Sequence, residues 1–249
     1  MASKFNFTQS SNPVMTEDAF RKEANTSILA AGNTMTVQSA VSKTFILFGL
    51  LLATSVIGFM MPSKLFMIGG AIAGLVMVLI ASFKPTTAPI TAPFYALFEG
   101  LFLGSISAVY ASAFNGILLH AVSLTFGVLF MMLFIYKAGI IKVTEKFRSG
   151  VIMATGAIFL VYLLNFILSF FGINIPYLHQ GGGIGILISL AIIGVASLNL
   201  LLDFDMFEKG EQARAPKYME WFAGMGLLIT LVWLYLEILR LLSRLQSND

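Results

Sequence analysis

The sequence has no cysteine. Disulfides, thiol catalysis and Cys-ligated zinc are therefore excluded, and the redox compartment cannot be read. Charge is scarce too: only 11% of the 249 residues are charged, where a soluble domain carries about a quarter. That deficit is too large to hide inside one globular core. Catalytic signatures are also missing. There is no HExxH, no paired-His zinc spacing and no G-x-S-x-G. The two histidines, His120 and His179, are both expected on the outer side. Gly181-Gly182-Gly183 followed by Gly185 lacks the Lys-Ser/Thr ending of a phosphate loop and reads as a flexible helix entry. Aspartyl intramembrane proteases need a Gly-x-Gly-Asp motif. Serine ones need Gly-x-Ser-Gly with a membrane histidine. Neither is present. No enzymatic activity, cofactor or nucleic-acid partner is expected.

What the chain has is apolar length. Hydrophobic residues make up 58%, and apolar runs near 20 residues recur, about what a helix needs to cross roughly 30 Å of hydrocarbon. Backbone groups in lipid must pair internally, which leaves helices or barrel strands. The runs are continuous and rich in Leu, Ile and Phe rather than alternating, which favours helices. Seven spans are predicted, near 44–61, 65–83, 92–112, 117–136, 150–171, 184–205 and 220–243. The third follows a breaker cluster from Pro85 to Pro93. A charged stretch from Phe207 to Trp221 separates the last two.

Residues 1–42 are polar and lack the apolar core of a secretory signal. They read as a cytosolic tail with a short helix near Thr16–Glu23. The expected organisation is this tail, a seven-helix membrane domain over 43–245, and a short C-terminal tail at 246–249. With the N-terminus placed inside, twelve of the fifteen Lys and Arg residues fall in inner segments, as the positive-inside rule requires. The C-terminus is then outside. Gly70/Gly74 and Gly100/Gly104 form two G-xxx-G pairs, a spacing that lets helix backbones approach closely. Both are read as packing within the chain.

Charged residues within the spans are the informative ones, because each costs at least a few kcal/mol in lipid. The candidates are Glu99 in the third span, Asp203 and Asp205 at the end of the sixth, and Glu237 in the seventh. Asn199 and Asp203, four apart, share one helix face, while Asp205 points elsewhere. Glu237 shares a stripe with Thr230 and Gly226. Such faces belong in a bundle interior or a water-filled cavity. Each candidate also has a structural reading. Glu237 could pair locally with Arg240, Asp203 and Asp205 could be interfacial, and Glu99 could be a neutral glutamic acid. Tyr162 and Asn165 in the fifth span are expected to form interhelical hydrogen bonds.

Three segments carry a resemblance. They are Phe98-Glu99-Gly100, Leu202-Asp203-Phe204-Asp205, and Leu234-Tyr235-Leu236-Glu237-Ile238 with its apolar tail. Over roughly residues 40–245 the chain resembles the Bax inhibitor/YccA-like membrane proteins. The resemblance implies an all-α bundle with the last of seven helices central. It implies a passive, pH-regulated calcium leak, with the lipid bilayer and other membrane proteins as partners. By motif position, Asp203 and Glu237 become the proton- and calcium-sensing carboxylates, with Glu99, Asn199 and Asp205 as pore or support residues. Calcium would be the permeant ion, and Asp203 and Glu237 its ligands. Two adjacent buried carboxyls share a proton rather than both ionise, and deprotonated they offer hard oxygens to calcium. On that account a proton favours the closed state. The simple tails fit a bacterial inner membrane, and the alternative function is a regulatory membrane protein without transport. One feature of the sequence strains the paired reading. Glu237 lies sixteen residues beyond Trp221, about 24 Å at roughly 1.5 Å per residue, whereas Asp203 sits near the inner face.

Overall fold

Thr36 starts the first helix: its side chain accepts a hydrogen bond from the Ser39 amide and satisfies one orphan donor of the first turn. The computed structural model describes residues 34–169, 171–172 and 182–247. The expected helix near Thr16–Glu23 and His179 lie outside the described residues. Seven long helices follow in order: α1 Val37–Met60, α2 Lys64–Phe83, α3 Ala88–Ala113, α4 Ile117–Lys137, α5 Glu145–Ser169, α6 Gly183–Gln212 and α7 Met219–Gln246. All seven are long and apolar enough to cross a membrane. The seven expected spans are therefore all present as helices.

The boundaries differ where polar residues extend a helix. α1 starts ahead of the expected 44 because Thr36 caps it. α3 absorbs part of the predicted breaker cluster. Pro85–Thr87 form a single 3-10 turn, and Pro89 sits in the first turn of α3, where a missing N–H costs nothing. Pro93 lies inside the helix. The largest correction is the charged stretch after the sixth span. α6 continues to Gln212, so the α6–α7 connector is only residues 213–218. It closes with Arg214 in the left-handed region at φ 52°. The Ala215 amide donates to the Gly210 carbonyl and the Arg214 amide to that of Glu211, a Schellman-type stop with arginine in the position glycine usually takes.

Packing is organised around α7. Of its membrane window 72% is buried, against 44% or less in every other helix. α6, α1, α3 and α4 all pack on it, so the last helix is central, as the resemblance implied. The G-xxx-G pairs join α1, α2 and α3. A Cβ on Gly70 would lie 2.7 Å from the Phe98 carbonyl of α3. On Gly100 it would collide with α1 at Leu51 and Thr54, and on Gly104 at Ser55. Both pairs are thus contacts within the chain. α5 is the exception to this close packing: only 6% of its window is buried, and its main neighbour is α6.

The start of α1 is clasped to the connector. The Met35 amide donates to the Ala215 carbonyl at 2.7 Å. Glu220, at the start of α7, accepts from the Thr36 amide at 3.2 Å and the Ser39 hydroxyl at 2.8 Å, and pairs with Lys43. This end of the bundle is called the connector end below.

Candidate functional site

Glu237 is 2% exposed, two thirds of the way along α7. Its Oε2 accepts from the Tyr162 hydroxyl of α5 at 3.0 Å and from Arg240 Nη1 at 2.7 Å. Its Oε1 accepts from the Ser189 hydroxyl of α6 at 3.3 Å. Two turns on, the buried Arg244 donates to Ser189 Oγ at 2.7 Å and to the Gly185 carbonyl. One carboxylate thus ties together three helices, with two guanidinium groups supplying positive charge. A buried anion held by charged and hydroxyl donors is the arrangement that makes its burial tolerable. The local Glu237–Arg240 pair foreseen from the sequence is real, and Tyr162 makes its interhelical bond.

The register of α6 on α7 decides the second question. Ser189 lies beside Glu237, and Asp203 is fourteen residues further along α6, or about 21 Å at 1.5 Å per residue. The two carboxylates implied as a pair are therefore not brought together. α6 is a continuous helix from Gly183 to Gln212, so no break shortens the distance. At that separation the two carboxylates do not share a proton.

Asp203 is itself 1% exposed. Asn199, on the same face, donates to Thr155 Oγ1 of α5 at 2.8 Å and back to the Val195 carbonyl at 2.9 Å. Glu99 shares the depth of Asp203. Ser107 of α3 hydrogen-bonds Tyr235 of α7 at 2.8 Å. Stepping back along these parallel helices puts Glu99 level with Leu227 and Asp203 near Ala223, about one turn apart. Both flank α7, each from its own helix. Glu99 fills the space left by Gly74, where a Cβ would come within 2.7 Å of Oε2.

Asp205, expected at the interface, is largely buried. It pairs with the buried Arg148 of α5 and, at 2.8 Å, with Lys209. Beside it Glu208 binds Lys137 Nζ and the Tyr136 hydroxyl of α4, each at 2.9 Å. The sequence reading foresaw the Arg240 pair but gave Arg244 no part in it. Their spacing from Glu237, at three and seven residues, marks all three as one helix stripe, and that signal was available. Ser189 and Arg148 had no such signal. His120 is exposed and bonds only the Gly116 carbonyl. Among the described residues, no group of three or more His, Asp or Glu side chains is placed to hold a metal ion.

With this geometry in view the comparison with known families is decisive. The model of the family described as Bax inhibitor 1 like matches residues 12–247. The chain belongs to the Bax inhibitor 1 like family. No curated protein matches it. Nearly the whole chain is covered, including all seven helices, so the Bax inhibitor bundle extends to every element described above. It is an integral membrane protein of that family, with lipid as its surroundings.

Proposed function

We propose that the protein is a passive, proton-regulated leak pathway for cations, calcium foremost, in a bacterial inner membrane with the N-terminus cytosolic. The observation that carries this reading is the Glu237 tie. α5 is the least buried helix. It is fastened to the core by Tyr162 to Glu237, Thr155 to Asn199, and Arg148 to Asp205. An apolar crevice of about 350 Å³ lies between α5 and α6, with Tyr162 in its wall. Arg240 and Tyr162 both donate to the Glu237 carboxyl group. Protonation of that group removes its charge and loosens α5 from α7. The sign is opposite to that of a carboxylate pair, because the neighbour of Glu237 is a cation rather than a second acid. Asp203, buried at the other depth, supplies a hard oxygen for the cation on the connector side.

The test is calcium entry into liposomes across a pH series, with Glu237→Gln and Asp203→Asn beside wild type. Wild-type flux should rise on acidification. Glu237→Gln, with its charge already gone, should be open at neutral pH and lose the dependence. Asp203→Asn should lower flux at every pH. No flux above empty liposomes at any pH would sink the leak reading.

One observation favours a second function, a regulatory membrane protein without transport. All three donors around Glu237 are satisfied within the fold, and no metal-binding cluster is assembled among the described residues. On that reading the carboxylates hold helices together and nothing more. Absence of flux, together with co-purification of a specific membrane protein that survives Asp203→Asn, would decide for it.

A further inference from the structure

α1 and α4 both pack on α7 but meet each other mainly through one edge-to-face ring pair, Phe48 with Phe126, centroids 5.7 Å apart. On either side of that pair lie two apolar cavities of about 250 and 140 Å³. Both have Phe48, Phe126 and Leu231 in their walls. Together they form a lateral crevice with α7 as its floor. Its rim is open to the surroundings of the bundle: Phe45 and Phe130 are 71% and 63% exposed. The larger cavity ends at the connector end, against Lys137 and Glu208.

Charge gathers at that mouth. The Lys137 side chain is 62% exposed, and Lys142 and Lys146, on the α4–α5 connector and first turn of α5, are exposed as well. Arg148 and Lys209 both pair with Asp205, and Lys137 with Glu208, so three cations meet two carboxylates in this network. Lys137 is paired with Glu208 at 2.9 Å, but its ammonium group keeps further donors that a phosphate oxygen can accept.

We propose that this crevice is a binding site for one anionic glycerophospholipid of the surrounding leaflet. One acyl chain lies between α1 and α4 along the floor of α7, and the phosphate sits at Lys137. The apolar walls match the chain, and the basic mouth matches the phosphodiester at headgroup depth. An acyl chain here fills space that no side chain of the described residues occupies. It also explains how a bundle tolerates a gap beside its central helix. The site is separate from the Glu237 tie and does not depend on it.

Native mass spectrometry of the purified full chain tests this, with phosphatidylglycerol, phosphatidylcholine or oleate added in equal amounts. One phosphatidylglycerol should remain bound through delipidation. Lys137→Gln should lower the preference over phosphatidylcholine by about fivefold, equivalent to ~1 kcal/mol for one basic residue at an anionic surface. Val41→Trp, a larger side chain at a partly exposed position in the crevice wall, should displace both phospholipids while circular dichroism stays unchanged. Equal retention of the two phospholipids by wild type, or unchanged occupancy in both variants, would overturn the proposal. Stronger retention of oleate would assign the crevice to a free fatty acid and overturn it equally.

Discussion

Ser189 and Glu237 meet across the α6–α7 interface, hydroxyl to carboxylate at 3.3 Å, and Arg244 reaches the same hydroxyl from two turns further on. This contact sets the register of the two helices at the core of the bundle. It places one acidic residue in the half of the bundle away from the connector, with cations around it. It leaves Asp203 at the depth of Glu99, on the connector side. Titratable groups therefore sit at two levels, and each level has its own partners.

Removing the Tyr162 hydroxyl should isolate the tie between α5 and α7. Tyr162→Phe keeps the ring and loses the donor to Glu237. Interhelical hydrogen bonds in membranes are worth about 0.6–2 kcal/mol, so a loss of ~1 kcal/mol is expected. Unfolding in detergent should report it as a lower midpoint. If the tie also gates the pathway, calcium flux at neutral pH should rise in the same variant.

The Arg148–Asp205 and Lys137–Glu208 pairs should differ in strength. The first has side chains 3% and 14% exposed, the second 62% and 38%. Asp205→Ala removes a carboxylate partner from a buried guanidinium, which costs about 3 kcal/mol. Lys137→Gln removes a surface pair worth ~1 kcal/mol or less. Matched unfolding curves of the two variants check the ordering.

Glycines at helix crossings should not tolerate a methyl group, while those elsewhere should. Gly104→Ala drives a Cβ into the α1 backbone at Ser55 and Phe59, and overpacking of that kind costs about 1–3 kcal/mol. Gly127 in α4 has nothing within 4 Å of an added Cβ. Gly127→Ala should therefore be neutral or stabilise by up to ~1 kcal/mol through helix propensity. Expression yield and thermal midpoint in detergent separate the two outcomes.

The connector offers a stabilising change. Arg214 has φ 52° at the position that ends α6, where a Cβ is strained and glycine is not. Arg214→Gly should raise stability by about 0.5–1 kcal/mol, read as a higher midpoint with no change in helix content.

The span count and the central last helix were legible in the sequence because they depend on run length and on motifs that a single chain displays. The glycine pairs were legible for the same reason: Gly70/Gly74 and Gly100/Gly104 carry their spacing with them. Depth was partly legible, since counting residues from Trp221 already set Glu237 far from the connector. What the sequence did not show was lateral order. Nothing in it says that Ser189 faces Glu237 rather than lipid, or that Arg148, at the start of α5, reaches Asp205. Those contacts follow from how helices rotate against one another, which one helix's periodicity does not specify. The start of α1 was misplaced because the polar residues 37–43 read as tail, whereas the Val37 and Ser39 amides find Glu211 and Thr36 as acceptors and Glu220 takes the Ser39 hydroxyl and Lys43.

That last arrangement yields the final prediction. Glu220 is 1% exposed, yet it holds the Thr36 amide, the Ser39 hydroxyl and the Lys43 ammonium together. An anion is favoured at a helix start, and Glu220 fixes the capping residue Thr36 and the first turn of α1 to α7. Glu220→Ala frees the capping residue and removes the carboxylate that pairs with Lys43. The start of α1 should then fray, while the helix beyond Leu47, packed in the core, stays intact. Amide hydrogen exchange measures this directly. Residues 35–39 should lose protection by tenfold or more, about the factor for ~1.4 kcal/mol of lost capping, while protection at 47–58 should not change. Uniform loss along the whole of α1 would mean that Glu220 holds the global fold and not a local clasp. Unchanged exchange at 35–39 would mean that the Met35–Ala215 bridge, the Thr36 cap and Glu211 suffice without Glu220.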